Sequence, residues 1–156
     1  MPSSRTHDAF TWLMLIPFGA LCWAGSGDPV ATGAGIAAYL GGGFFFNGDL
    51  DTQSRPFHRW GLLRWIWFPY QALFRHRSPW THGIVRGFLV RLFYLSVLLS
   101  VAFVMVESRI RLPFPTPNLE RKVLLALIAG LWAGASQHSV LDGMVSGWKR
   151  IWRFHR

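Results

Sequence analysis

Four long apolar segments dominate the pattern of hydrophobic and polar positions along the chain. They cover residues 9–25, 30–46, 84–106 and 123–141, and shorter polar stretches separate them. A helix rises about 1.5 Å per residue, so about 20 residues cross the ~30 Å hydrocarbon core of a bilayer, with ~17 as the lower limit. The pattern predicts an all-α integral membrane bundle of four transmembrane helices.

The first two apolar segments lie close together, with only residues 26–29 between them. This connection contains Gly and Pro, so the pair is expected to form a tight helical hairpin. A buried hairpin of a soluble protein is the alternative. The second segment also contains five glycines that suit close helix contact in lipid: Gly33, Gly35, Gly41, Gly42 and Gly43.

Residues 55–80, between the second and third apolar segments, alternate arginine with aromatic residues. Such a mixture does not cross a membrane, but it suits a helix lying in the interface. Its guanidinium groups would face the headgroups and its rings the acyl chains. We therefore expect one interfacial amphipathic helix in addition to the four spans, with a kink at Pro69.

The composition agrees with a membrane protein that forms a single domain, residues 1–156. Hydrophobic residues make up 51% of the chain and charged residues 15%, against ~25% charged residues in soluble domains. The net charge of +9 raises nucleic acid as a partner. The basic residues lie between apolar segments, however, so we expect a bilayer with anionic headgroups and no nucleic acid. The one cysteine, Cys22, lies in an apolar segment, which excludes a disulfide framework and a thiolate zinc site.

The distribution of Lys and Arg among the connections predicts an orientation. With a cytoplasmic amino terminus, that side carries Arg5, five arginines in residues 47–83 and four basic residues in 149–156, ten in all. The opposite side carries only four: Arg109, Arg111, Arg121 and Lys122. Because basic loops remain in the cytoplasm, we expect both termini there.

Most of the histidines and acids fall into four short clusters next to the ends of the apolar segments. In the predicted orientation all four clusters face the cytoplasm, although Lys and Arg alone fixed that orientation. The clusters are His7 with Asp8, Asp49 with Asp51, His76 with His82, and His138 with Asp142. This agreement predicts a mononuclear or dinuclear metal centre with imidazole and carboxylate ligands.

The spacing within each cluster has a structural alternative as well. Asp49 and Asp51 would point to opposite sides of an extended backbone and serve two ions, or they mark an ordinary turn at a helix end. His76 and His82 flank a break at Pro79, and an exposed basic loop is their alternative. His138 and Asp142 share one helix face as two ligands, or as a hydrogen-bonded pair between helices.

Two arginines enter the third apolar segment. Arg86 can extend to the interface, whereas Arg91 lies ~7.5 Å deeper at the helical rise. Arg91 therefore needs a carboxylate or a ligand oxygen, for which Asp142 or a bound phosphate is a candidate. Extension of its side chain to the interface is the alternative.

Five stretches carry a resemblance to a known family. They are Ser-Ser-Arg-Thr-His-Asp at 3–8, Gly-Asp-Leu-Asp at 48–51 with Ser54, residues 59–70, His-Arg-Ser-Pro-Trp-Thr-His-Gly at 76–83, and Ser-Gln-His-Ser-Val-Leu-Asp at 136–142. With these the chain resembles a family of uncharacterised metal-binding integral membrane proteins, related to predicted membrane-bound metal-dependent hydrolases of bacterial inner membranes. It departs from the hydrolase pattern at Gly48, at Thr52 and at Gly83, where the hydrolases have Pro, His and Ser.

These observations predict a metal-binding protein of a bacterial inner, or internal, membrane. Zinc is the first choice of ion and manganese or iron the next. The expected ligands are His7, Asp49, Asp51, His76, His82, His138 and Asp142. As an enzyme, it would hydrolyse a phosphoester or other ester at the cytoplasmic face, with Asp8 or Asp51 as general base and Arg77 and Arg86 binding the anionic group.

Two other functions are open from the sequence. The first is a non-catalytic membrane protein whose metal ties helix ends together, or which is a small subunit of a membrane complex with a protein partner. The second is a transporter or channel, which is disfavoured because the polar residues collect at one face.

Overall fold

The computed structural model describes residues 3–76, 78–107 and 120–154. Within these ranges the chain forms α-helices, two 3₁₀ helices and no strand. The elements are α1 (Ser4–Ser26), α2 (Pro29–Phe45), a 3₁₀ helix (Gly48–Asp51), α3 (Arg55–Arg59), a second 3₁₀ helix (Gly61–Trp67), α4 (Phe68–Leu73), α5 (Pro79–His82), α6 (Arg86–Glu107) and α7 (Arg121–Phe154). The predicted all-α class is confirmed for the described part of the chain.

Four helices are long and apolar enough to cross a membrane: Ser4–Ser26, Pro29–Asp51 with its 3₁₀ extension, Arg86–Glu107 and Arg121–Ser146. They correspond to the four predicted segments, although α7 continues beyond the predicted end at residue 141, to Phe154. Arg109 and Arg111, which contribute to the orientation count, lie outside the described residues.

The turn between α1 and α2 is short because both helix ends are capped within it. Gly27 ends α1 in the left-handed region, with φ of 59°, a conformation that glycine adopts without steric cost. Asp28 then accepts a hydrogen bond from the Ala31 backbone N–H at 2.7 Å, and Pro29 occupies the first turn of α2. Asp28 thus has a capping role at the end of the helices opposite to His7.

The main chains of α2 and α7 come into direct contact. A Cβ atom at Gly134 would clash with the Tyr39 carbonyl oxygen and would lie 2.8 Å from the Gly43 nitrogen. At Gly42 it would lie 2.8 Å from the Ala135 nitrogen. Gly33 and Gly41, in contrast, face open space. Only part of the glycine-rich pattern of α2 therefore serves close helix contact.

The prediction of one continuous helix over residues 55–80 is wrong. This part of the chain is broken into short helices, because Pro56, Pro69 and Pro79 each open a new helix in its first turn and Gly61 has a positive φ of 56°. Pro69 therefore starts α4 and does not kink a longer helix.

The same segment supplies the aromatic core of the protein. Trp67 and Tyr70 are fully buried, whereas Leu62 is 89% exposed, so the apolar side chains divide between the interior and the outer surface. Burial raises the pKa of Tyr70 to about 12, against the opposing effect of the Arg91 charge. The core consists of Phe46, Leu50, Phe57, Trp67, Tyr70, Phe88 and Ala135.

Arg91 is buried beside this core, and the oxygen that it contacts belongs to the backbone, whereas the sequence suggested Asp142 or a bound phosphate. Its Nη1 donates a hydrogen bond of 2.6 Å to the carbonyl oxygen of Thr81. Its guanidinium carbon also lies 5.8 Å from the ring centre of Phe46, a distance at which cation–π attraction contributes. Arg91 therefore joins α6 to α5 through the backbone, and it does not extend to the interface.

The close contact between α2 and α7 predicts a clear difference between two glycines of α7. Gly134→Ala forces the helices apart and should lower the free energy of unfolding by about 1–3 kcal/mol. Gly143→Ala, where a Cβ meets nothing within 4 Å, should be neutral or stabilising by about 0.5–1 kcal/mol, because alanine favours helix. Thermal unfolding of both variants in the same detergent measures this. Equal stability of the two would contradict the packing.

Candidate metal centre

Four imidazoles form a row at one end of the helices. His7 comes from the start of α1, His138 from α7, His82 from the end of α5, and His76 from the turn before α5. The rings of His7 and His138 are stacked with centres 3.9 Å apart. The centres of His138 and His82 are 5.6 Å apart, as are those of His82 and His76.

Three carboxylates lie along this row. Asp142 approaches the first two rings, with 3.4 Å to His7 Nε2 and 3.5 Å to His138 Nε2. Asp51 approaches the last two, with 2.9 Å to His76 Nδ1 and 3.5 Å to His82 Nε2. Asp49 lies between the pairs, 3.1 Å from His138 Nε2.

The ligand atoms form three overlapping groups, each within 4.8 Å: His7 with His138 and Asp142, Asp49 with His82 and His138, and Asp51 with His76 and His82. The first and last groups share no residue, and the middle group joins them. All seven residues that the sequence suggested as ligands thus belong to one continuous cluster.

A capped 3₁₀ turn holds Asp49 and Asp51, where the sequence suggested an extended backbone. The Asn47 side chain accepts from the Asp49 N–H at 3.1 Å and donates to the Gly43 carbonyl at 2.9 Å. Ser54 Oγ donates to the Asp49 carbonyl at 2.7 Å. Residues two positions apart in a 3₁₀ helix differ by about 240° around the axis, so the two carboxylates face different imidazoles.

The His82 side of the cluster depends on close backbone packing. The hydrogen bond from Arg91 to Thr81 holds α5 against α6, and a Cβ at Gly87 would lie 2.8 Å from the Thr81 carbonyl carbon. At Gly48 a Cβ would lie 2.9 Å from Nδ1 of His82 and 3.4 Å from Cδ2 of His138. The glycine at 48 therefore lets two ligand rings approach the turn that carries the carboxylates.

A buried polar network, which the sequence reasoning missed, supports His7 and His138. Thr11 Oγ1 donates to the His7 carbonyl at 3.0 Å and accepts from Gln137 Nε2 at 2.6 Å. The hydroxyl of Tyr39 donates to Gln137 Oε1 at 2.6 Å. The signal was present in the sequence, because Thr11 lies one helical turn after His7 and Gln137 precedes His138.

The donor atoms fit a divalent cation. Within the described residues, Nε2 of His138 and of His82 are buried and make no aligned hydrogen bond, and neither does Oδ1 of Asp142. These nitrogen and oxygen atoms nevertheless lie 3.1–3.5 Å from one another or from other carboxylate or imidazole atoms of the cluster. Imidazole nitrogen with carboxylate oxygen suits zinc, manganese or iron, and a bound cation would satisfy the buried atoms that lack hydrogen bonds.

Asp8 and Arg86, which also have suggested roles, belong to none of the ligand groups. Asp8 pairs with arginines, its Oδ2 being 2.6 Å from Arg59 Nη2 and 3.5 Å from Arg55 Nη1. The guanidinium carbon of Arg86 lies 6.0 Å from the Trp80 ring centre. Arg77 lies outside the described residues.

Comparison with known proteins identifies a family and one relative that this chain resembles. A model of the family described as "Uncharacterized metal-binding protein" matches residues 2–152. An "Uncharacterized protein" of Aquifex aeolicus (strain VF5) is 48% identical over 58 residues, which are 36% of this chain and 40% of that protein. The match therefore spans less than half of that relative's length. No solved structure matches the chain.

The role of Gly48 can be tested with a matched glycine pair. Gly48→Ala should displace His82 and weaken metal binding by about tenfold to a hundredfold, as loss of ligand positioning does in other metal sites. Gly41→Ala adds a methyl group that meets nothing within 4 Å and should bind as the wild type does. Titration of the apo protein with Zn²⁺ against a competing chelator gives both affinities. Unchanged affinity of the Gly48 variant would show that the rings do not bind metal in this arrangement.

Proposed function

The chain belongs to the family of uncharacterised metal-binding proteins, and from that premise we propose a dinuclear metal centre at the cytoplasmic face of a bacterial inner membrane. One ion would be held by His7, His138 and Asp142, and the other by Asp51, His76 and His82. Asp49 would lie between them as a bridging carboxylate. Zinc is the first candidate, with manganese or iron as alternatives.

The separation of the two end groups supports two ions. They have no residue in common, while Asp49 reaches His138 at 3.1 Å and belongs to the group that overlaps both. A single ion cannot satisfy four imidazoles in a row whose outer members are separated by two further rings. Three ligands for each ion would leave positions open for substrate or water, as in catalytic sites.

The membrane location is supported by exposed apolar surface and by the position of the cluster. Ile16 is 80% exposed and Phe93 is 72% exposed, in helices of spanning length. Exposure of large apolar side chains on this scale marks a surface that faces lipid or another protein. The ligands gather at a common end of the long helices, the end at which the basic residues predict the cytoplasm and both termini.

The chemistry we propose is hydrolysis of a phosphoester or other ester. A divalent cation with such ligands lowers the pKa of water toward ~7 and polarises a phosphoryl or carbonyl oxygen. Asp51 lies in the cluster, whereas Asp8 is paired with Arg59, so Asp51 is the better candidate for the general base if His76 and His82 hold that ion without it. Arg77, which follows His76 in the sequence, and Arg86, at the start of α6, are the candidates to bind an anionic group.

A structural role of the metal is the second candidate, and one observation favours it. The ligands come from α1, the 3₁₀ turn, the α5 region and α7, so a cation would tie four separate segments together. In that case removal of the metal would lower stability, and no turnover would exist to lose. A small subunit of a membrane complex would behave in the same way.

Elemental analysis of the detergent-purified full chain tests the dinuclear centre. We expect about two divalent ions per chain in the wild type, and about one after His7→Ala or His76→Ala, since each removes a ligand from one end group only. His58→Ala is the matched control, because His58 lies outside the groups and contacts Arg64 at 3.4 Å. A metal-free wild type, or equal content in all variants, would refute the proposal.

Hydrolysis is tested with a panel of phospholipids and other amphiphilic esters, with and without a chelator. His82→Ala should lower the rate by about a hundredfold or more, since the metal contributes several kcal/mol to such reactions. His58→Ala should retain the wild-type rate. Identical slow rates for the wild type and His82→Ala would exclude catalysis by this centre. If chelation then still lowered the melting temperature, the structural role would stand.

A further inference from the structure

A lateral cleft runs along the fold between α1 and α7. Two cavities form it, of about 330 and 360 Å³, and they share Phe18 and Leu21 in their walls. The first extends from these residues to Ser26 and Lys122, and the second to Phe10 and Val140. The two cavities therefore adjoin at Phe18 and Leu21, and together they extend from the turn after His7 toward the opposite end of the helices.

The end of the cleft beside the metal centre is built on the same helical turns as the ligands. Phe10 follows His7 by less than one turn, and Gln137 and Val140 lie on either side of His138 in α7. Ile84, two residues after His82, completes the wall. A molecule that occupies the cleft would thus place its end within reach of the cluster.

The polar atoms in this wall already have partners. Tyr39 and Gln137 are hydrogen-bonded to each other, and Gln137 to Thr11. Ser136 Oγ donates to the Ile84 carbonyl at 3.0 Å. Because these groups are satisfied, this end of the cleft offers mainly apolar contact, with Phe10, Met14 and Trp132. An apolar chain suits such a wall better than a polar ligand.

The dimensions favour a hydrocarbon chain over a helix. From Phe10 to Leu21 the wall of α1 is about 16 Å long at the helical rise, close to half of a ~30 Å hydrocarbon core. A helix at least 10 Å wide would occupy roughly 1,300 Å³ over that length, more than the 790 Å³ of empty space in the cavity, part of which is open to the outside. A single hydrocarbon chain therefore suits the cleft better than a helix does.

We propose that the cleft between α1 and α7 binds one acyl chain of a membrane lipid and holds its phosphoester headgroup at the metal centre. This inference rests on the proposed function and names its substrate class, a phospholipid that enters sideways from the bilayer. The headgroup end would lie at Phe10 and Val140, and the chain would run toward Leu21.

Photocrosslinking tests both occupancy and direction. The full chain is placed in nanodiscs of phosphatidylethanolamine and phosphatidylglycerol that contain phosphatidylglycerol with a diazirine either near the ester or at the chain end. We expect the first probe to label residues around Phe10 and Val140 and the second to label those around Leu21, as identified by mass spectrometry.

Two variants narrow the cleft and one serves as control. Ala133→Phe adds a ring to the wall, and Leu21→Trp enlarges a side chain that is 71% exposed and therefore leaves the helix packing intact. Each should lower cleft labelling about fivefold or more, because the added side chain occupies the path of the chain. Ala102→Phe, on the exposed surface of α6, should leave it unchanged. Metal content is measured on every sample as a check of the fold.

Three results would overturn the inference. They are labelling in proportion to exposure over all lipid-facing helices, the same labelled residues for both probes, and crosslinks between two copies of the chain through the cleft. If the two probes labelled the expected residues in protein that holds no metal, the result would refute the metal centre and support the acyl-chain site in the cleft. The failure of the proposed function is thus distinguishable from the failure of the cleft.

Discussion

Three carboxylates and four imidazoles lie in one row, and most of them are partly or fully buried. The free-energy cost of burying these groups is the constraint on which the rest of the structure depends. Asp51 and His138 are almost completely buried, and charged groups removed from water are stable only when they are paired or bound to a cation. The contacts around the row keep these groups in place against that cost. Asn47 and Ser54 fix the turn with the carboxylates, Arg91 fixes α5, and the Thr11 network fixes His7 and His138.

The cluster also requires that main-chain segments approach each other closely, and glycine allows this at two places. Gly42 and Gly134 let α2 and α7 touch, which sets the height of His138 relative to the turn at Asp49. Gly48 then gives His82 and His138 room beside that turn. The cluster is thus fixed by main-chain contacts, which change less readily than side-chain rotamers, and this rigidity suits a metal site.

Hydrophobic length and the placement of His and Asp were enough to predict the long helices and the set of residues that the fold brings together. Local spacing was a poorer guide. Pro56, Pro69 and Pro79 act as helix starts, so the Arg and aromatic pattern of residues 55–80 formed a broken segment with a buried core. The Asp49–Asp51 turn and the backbone partner of Arg91 depend on contacts between distant elements, which no local pattern reveals. The network around Gln137 arises in the same way.

The wide separation of the ligands along the chain affects how the protein can be assembled. His7 and Asp142 belong to one ligand group, and they lie 135 positions apart in the sequence (142 − 7). At about 5–20 residues per second, synthesis of that stretch takes about 7–27 s. During this interval the α1–α2 hairpin would already be present while α7 was still being translated. An ion at the proposed His7, His138 and Asp142 group could consequently be bound only late in biogenesis, and a chain truncated before Asp142 would lack a complete group.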